Sequence, residues 1–495
     1  MAKTVIIGGG VSGLSAGIYT LLKGGEATVC ESHTRCGGNL TGWQRGDYHI
    51  DNCIHWLTGT NPQSGTYRTW CELGALGGVK VHQEEILYSY EKGRERISLY
   101  RDLDRTEREM IDASPIDEAR IRRLIEAVRI LRGVQGMGGA MRNEGLSLGE
   151  KIKRAPALFR FHTLSTSALA KKFRSPLLRG FIECFIGGDF SALTLIFVFA
   201  AFTADNGGIP EGGSVAMAER MENRFLNLGG ELRLGRAVTK VNVENGCAVS
   251  VSLSDGSVIP CDYLVITPDP RSVFGKILKA PMPSALKSLY ANKRAYRFSS
   301  IHSAFSIDEG IIDFKGDLIL EIPERFRGVL NSGSIILREF SHEPSFAPKG
   351  KNIIQAMIFL DEAASESFVA LKKSHGTYRA RKALICELMQ EIIVERYPAL
   401  KDRIAVIDSW TPATYKRYTA AEIGSYMSFI IPPMMIPPRV KNKLPSFKNI
   451  YLATQWATMP GGLPNSAAEG KKCALAIAEA ESIRIKARAA GSVKV

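Results

Sequence analysis

The 495-residue sequence contains nine cysteines, at 30, 36, 53, 71, 184, 247, 261, 386 and 473, yet no C-x-x-C pair and no other metal-ligand spacing. That excludes a thioredoxin-type motif and a zinc ribbon, leaves no metal site to expect, and fits a reduced, cytoplasmic compartment. Long hydrophobic runs are also lacking: the longest, Leu193 to Ala204, is too short to span a bilayer. No basic-apolar-small leader precedes the first strand, so no signal peptide is expected. Internal repeats are missing, and the only biased tract is a proline-rich turn at Pro432-Pro433 and Pro437-Pro438. Acids are scarce in one place. From Ala119 to Gly180, fourteen Lys and Arg face only Glu126, Glu144 and Glu150, which concentrates most of the net charge of +14. No nucleic-acid-binding module accompanies that stretch, so nucleic acid is not an expected partner.

Hydrophobic residues make up 45% of the chain and charged residues 23%, and the length exceeds one ordinary core. Two interleaved globular domains follow as the expectation. The N-terminus says what one of them holds. An apolar run, Thr4 to Ile7, enters Gly8-Gly9-Gly10-Val11-Ser12-Gly13, and a helix is predicted from about Ser12 to Lys23. In G-x-G-x-x-G, Gly8 permits the tight turn, Gly10 lets the backbone approach a pyrophosphate and Gly13 lets helix and strand pack closely. The helix N-terminus then offers free N–H groups to phosphate. A second strand, Ala27 to Cys30, ends at Glu31, placed to accept hydrogen bonds from ribose hydroxyls and to repel the 2'-phosphate of NADP.

A second glycine pair follows in Arg35-Cys36-Gly37-Gly38. Strand, glycine run, Glu31 and this pair together resemble the N-terminal signature of the FAD-dependent amine oxidase and phytoene desaturase superfamily. The resemblance extends to Gly212-Gly213 with its following helix (Ser214 to Leu228, ended by Gly229-Gly230). It also covers the strands Glu231 to Leu234, Ala237 to Glu244, Ala248 to Leu253 and Val258 to Ile266, and the C-terminal segment from Asn449 to Pro464. There Pro460-Gly461-Gly462-Leu463-Pro464 leads into a helix from about Ser466 to Ala480, which closely resembles the carotenoid desaturase, carotenoid isomerase and retinol saturase-like branch, except that the turn has one glycine fewer than that branch usually has. The resemblance implies an α/β fold: a Rossmann-like FAD-binding domain with a central parallel sheet (1–75, 205–285 and 445–490) and a mixed-sheet and helical substrate domain (76–204 and 286–444). It further implies FAD contacts from Gly8, Gly10, Val11, Ser12, Gly13, Glu31, Ser32, Arg35, Gly37, Gly38, Asn39, Val238, Gln455, Trp456, Gly461, Gly462, Leu463 and Pro464. No cysteine stands in the C-terminal turn, where some amine oxidases attach flavin, so the FAD is expected to be non-covalent. No second G-x-G-x-x-G follows a strand, and Gly133 to Gly139 has the wrong spacing, so no NAD(P)H domain is expected.

Hydride transfer is the cofactor's own chemistry, so catalytic side chains are expected to be few. His55 follows the second glycine pair and has the intrinsic pKa of a general acid or base, and equally the placement of a structural histidine. Tyr415, Tyr418 and Tyr426 lie on the stretch from Trp410 to Tyr426 that resembles the family's return to the flavin; they are proton donors or packing aromatics. Gly424 fits close approach of backbone to the ring. Cys36 and Cys53 are expected near the flavin as small buried thiols.

The basic stretch adjoins apolar Leu177 to Phe185 and Leu193 to Ala204, which reads as a membrane-facing subregion (about 119–204) that draws an apolar substrate from an anionic membrane surface, or as core helices beneath a solvated face. Phe429 to Ile436 is expected to add to the substrate lining. Three functions stay open. One is an FAD oxidoreductase that desaturates or saturates carbon–carbon bonds of an apolar polyene, isoprenoid or lipid-like substrate. The second is a double-bond isomerase or amine oxidase-like enzyme. The third, a non-catalytic prenyl-protein escort, is disfavoured by the intact glycine motifs. The oligomeric state is open.

Overall fold

Near-continuous burial of short apolar strands is what a parallel sheet covered on both faces requires, and Lys3–Ile7, Tyr263–Ile266 and Ile450–Leu452 are buried at nearly every position. In the computed structural model, which describes residues 2–132 and 147–491, they join Glu26–Cys30 and Glu231–Arg233 in a five-stranded parallel sheet. The strand order is Glu231–Arg233, Glu26–Cys30, Lys3–Ile7, Tyr263–Ile266, Ile450–Leu452, with Ile6 opposite both Val29 and Val265. The carboxyl ends of the strands therefore place Gly8, Glu31, Thr267 and Ala453 along one edge, where ligands bind in sheets of this kind. The stretch from Gly133 to Gly139, with Arg142 and Glu144, lies outside the described residues.

The first and last helices lock this layer. Val11–Leu22 and Leu463–Gly491 pack so closely that a Cβ on Gly470 would lie 2.4 Å from the Ser12 carbonyl oxygen. Ser12 and Ser15 hydroxyls donate to the carbonyls of Ser466 and Ala467 at 2.8 and 2.7 Å. Val258 to Ile266, expected as one returning strand, is two. Val258–Pro260 pairs antiparallel with Cys247–Leu253, while Tyr263–Ile266 enters the parallel sheet. Pro260 lacks the N–H to continue a ladder, and the chain changes sheets just past it.

A seven-stranded, largely antiparallel sheet forms the second body, in the order Ala405–Trp410, Ser299–Asp308, Lys351–Leu360, Ser334–Glu339, Asp317–Glu321, Ile86–Lys92, Glu95–Tyr100. Alternation divides its side chains. Leu318, Leu320, Ile335, Leu337 and Ile354 pack with the helix His375–Arg396, while Ile319, Ile336 and Met357 pack with helices on the other face.

Those helices are core helices, the second of the two readings of the apolar runs. Ala192–Phe202 is apolar nearly all round because it is buried along most of its surface, and Leu177, Leu178, Phe181 and Ile182 join it in the same core. The charges above them are partly answered by acids just upstream: Arg120 by Asp117, Arg122 by Glu118 and Glu107, Arg129 by Asp104 and Glu107. No described helix is long and apolar enough to cross a membrane.

Candidate functional site

The two glycine runs lie side by side. Gly37 N–H donates to the Gly9 carbonyl at 2.9 Å, and Gly10 bridges to Gly37. Gly13 takes the closest approach within these two runs, since a Cβ there would stand 1.9 Å from the Gly8 carbonyl oxygen. Glu31 is buried, and its carboxylate accepts from Gly9 N–H at 2.7 Å and His33 N–H at 2.8 Å, which ties the first loop to the second strand.

These loops form one end of a cavity of about 610 Å³, within the range of cofactor and ligand sites. Gly8, Gly10, Val11, Ser12, Glu31, Ser32, Gly37, Gly38, Asn39, Val238, Gln455, Trp456, Gly461, Gly462, Leu463 and Pro464 all line it, as do His55, Tyr418, Tyr426 and Cys53. Gly13 acts behind the wall through packing. Arg35 is not on the wall: its guanidinium donates to the Gly42 carbonyl at 2.8 Å and braces the loop after the glycine pair. A larger open groove of about 1300 Å³, lined by Lys372, Lys373, Arg379 and Lys382, has no glycine loop and none of these residues; the smaller cavity is the candidate site.

Beyond the glycine loops the wall becomes apolar. Phe185, Ile186, Phe190, Phe197, Val198, Ala201, Phe298, Ile336, Met357 and Phe359 form it. Thr194, Phe197, Val198 and Ala201 recur at helical spacing, so one stripe of the buried helix faces the cavity. Phe429 to Ile436 does not contribute. Phe429 and Ile431 pack with Leu289 and Trp456, Ile430 packs with Phe190 and Phe298, and Met434 and Ile436 point outward.

Where the two regions meet, the seven-stranded sheet supplies an ion pair that no sequence motif announces. Asp317 and Arg338 are register partners on adjacent strands. Arg338 Nε donates to Asp317 Oδ1 at 2.8 Å and its Nη2 donates to both carboxylate oxygens at 2.6 Å. Burial raises the Asp317 pKa, but Arg338 and His55 outweigh it and hold the carboxyl below its usual range. Arg338 Nη2 also meets His55 Nδ1. Burial, then the Arg338 charge, pushes the His55 pKa down, so His55 is neutral at pH 7 and is not a proton-charged acid.

Tyr415 is turned away from the cavity. Its hydroxyl donates to Asn52 Oδ1 at 3.1 Å, accepts from Trp410 Nε1 at 3.2 Å and meets His302 Nε2 at 3.2 Å, while the His302 ring stacks on Trp410. It braces a buried polar network, and burial raises its pKa. Tyr426 does line the cavity, with its pKa raised well above the usual value by burial. Gly424 serves a different contact from the one expected: with φ +70° and a would-be Cβ 1.9 Å from the Pro412 carbonyl oxygen, it fits the backbone before Tyr415. Burial, reinforced by Asp51, pushes the Cys53 thiol up to about 12; Cys36 is buried behind the first glycine loop.

The chemistry of the wall suits a dinucleotide bearing a flat ring. Asn39 Oδ1 and Ser425 Oγ are buried on this cavity without a protein partner, and a Cβ on Gly462 would point into open space. Gly462 N–H donates to Gln455 Oε1 at 3.1 Å, which shapes the turn ahead of the helix Leu463–Gly491. Its N-terminus faces the cavity with the positive end of the helix dipole. Among the described residues no cluster could hold a metal ion.

Known proteins are similar to this chain in sequence and in fold. The chain is 26% identical over 445 residues to prolycopene isomerase 1, chloroplastic, of an Oncidium hybrid cultivar, covering 85% of this chain and 74% of that one. It is 23% identical to a phytoene desaturase (lycopene-forming) of Paracoccus sp., covering 96% and 97%. An oxidoreductase from Methanosarcina mazei superposes with a TM-score of 0.61 at 17% identity, covering 95% and 99%. Cyclohexylamine oxidase from Brevibacterium oxydans has the same TM-score at 14% identity, covering 97% and 99%. A family model described as flavin containing amine oxidoreductase matches residues 11–478. The chain belongs to this family of flavin-dependent oxidoreductases.

Proposed function

We propose that the protein binds FAD non-covalently and transfers hydride to or from carbon–carbon bonds of an apolar polyene, isoprenoid or lipid-like substrate. The observation that carries this reading is the single cavity with two chemistries: glycine loops and Glu31 at one end, phenylalanines and aliphatic side chains at the other. Relatives named prolycopene isomerase and phytoene desaturase support a polyene. Bound flavin supplies the two-electron chemistry. The chain's own residues hold the dinucleotide, exclude water and align an extended apolar molecule beside the ring.

An amine substrate fits less well. A protonated amine is best held by a free carboxylate, and the cavity's carboxylates are engaged: Glu31 by backbone N–H groups, Asp269 by Tyr290 and the Arg271 and Glu422 N–H groups, Asp317 by Arg338. Double-bond isomerisation is the second reading, favoured by the isomerase relatives. Anaerobic incubation of FAD-loaded protein with polyene, isoprenoid, fatty-acid and amine pools separates these. Polyene-dependent flavin bleaching with a product two mass units different supports desaturation or saturation. A product of unchanged mass formed with pre-reduced flavin supports isomerisation, and bleaching by amines alone refutes the polyene reading.

Part of the same reading is delivery from an anionic membrane surface. Phe159, Met434 and Ile436 are 74%, 70% and 78% exposed. Met434 N–H donates to the His162 carbonyl at 2.9 Å, which brings this segment to the helix carrying Phe159 and the exposed Arg160. Exposed apolar side chains beside cations suit such a surface. Co-sedimentation with phosphatidylserine vesicles that survives Phe159→Ser with Met434→Ser counts against it.

A further inference from the structure

The apolar end of the cavity contains polar groups that a hydrocarbon cannot satisfy. A guanidinium only donates hydrogen bonds, so where Arg338 meets His55, Nδ1 is the acceptor and the imidazole proton sits on Nε2. Arg338 is fixed in turn by Asp317 through Nε and Nη2. The tautomer is therefore set by a buried ion pair; His55 lines the cavity, and among the described residues no protein group bonds its Nε2. A second sign is independent of the first. Thr194, 7% exposed on the stripe of the buried helix that faces the cavity, has a buried hydroxyl with no partner in the protein.

We infer that the substrate is an apolar molecule carrying a neutral oxygen, a hydroxyl or a carbonyl, and that His55 Nε2–H recognises it, with the Thr194 hydroxyl as a further polar contact. This rests on the apolar-substrate reading above and narrows it. The oxygen is neutral because the site offers no uncompensated cation: Arg338 is bound by the Asp317 carboxylate, and a substrate carboxylate would enter an apolar chamber beside Asp317 without a counter-charge. An unadorned hydrocarbon would strand the His55 N–H and the Thr194 hydroxyl in a dry site, whereas sites built to bond a polar group discriminate strongly against analogues that lack it. His55 is thus a specificity residue, held in place by Arg338 and Asp317 as positioning residues.

The test uses full-length, FAD-loaded protein and three acyclic polyenes of equal length: the hydrocarbon, its terminal alcohol and its terminal carboxylic acid. Dissociation constants are read from the perturbation of the flavin absorption spectrum, without turnover. The alcohol should bind about tenfold or more tightly than either of the others. His55→Phe should abolish that preference, His55→Gln, which keeps an N–H donor, should restore part of it, and Thr194→Val should reduce it. Flavin content and thermal unfolding establish that each variant is folded. Equal binding of hydrocarbon and alcohol by the wild type, or a preference that survives His55→Phe in a folded variant, overturns the inference while leaving the polyene reading intact. Failure of all three polyenes to perturb the flavin overturns both.

Discussion

At the scale of single residues, the site depends on which polar groups are already satisfied. Asp317 and Arg338 have side chains only 6% and 9% exposed, so each is tolerable only with the other. Arg338→Met alone should destabilise the protein by about 3–5 kcal/mol in denaturant unfolding, while Asp317→Leu with Arg338→Met should recover much of that loss. A single variant as stable as the wild type would contradict the pairing. This pair was not legible in the sequence, because strand register joins residues 21 positions apart and no motif marks register. Glu31 was legible, since its partners lie on the adjacent loop and its spacing from the glycine run is a local property. Which of the two roles Tyr415 takes was not legible, for a related reason. The segment from Trp410 to Tyr426 does reach the cavity, but the helix Pro412–Thr419 turns Tyr415 toward Asn52, and chain order does not reveal side-chain direction.

Among the elements, the sheet could be read from short, largely apolar runs such as Thr4 to Ile7 and Tyr263–Ile266, each followed by glycine or turn residues. The helix Ala192–Phe202 could not be placed, because an apolar sequence describes burial in a core and burial in lipid equally well. The charged stretch beside it is partly answered by acids that stand just before it: Asp104, Glu107, Asp117 and Glu118 pair with Arg120, Arg122 and Arg129. The helices Val11–Leu22 and Leu463–Gly491, from opposite ends of the chain, meet at Gly470. Gly470→Val would push them apart where both N-termini face the cavity. The expected result is a lower unfolding temperature together with weaker FAD retention in gel filtration. A variant that loses stability but keeps FAD affinity unchanged would show that this contact does not shape the site.

Over the whole molecule, burial lowers the pKa of His49, His55, His302 and His342 from 6.5. Below pH 6.5 the unfolded chain binds protons that the folded chain refuses, so stability falls as pH falls through the interval between 6.5 and the lower folded values. The unfolding temperature should therefore drop between about pH 6.5 and pH 5, before most carboxylates titrate; a flat profile across that range would contradict the burial of these rings.

The two bodies of the molecule share one cavity, and the account stands or falls on a flavin filling its glycine-lined end. The direct measurement is the absorption spectrum of protein reconstituted with FAD and passed through gel filtration, repeated on the supernatant after acid denaturation. The predicted result is a yellow protein carrying stoichiometric FAD, all of it released by denaturation. Colourless protein would contradict the central claim, and flavin that stays with the denatured polypeptide would contradict non-covalent binding.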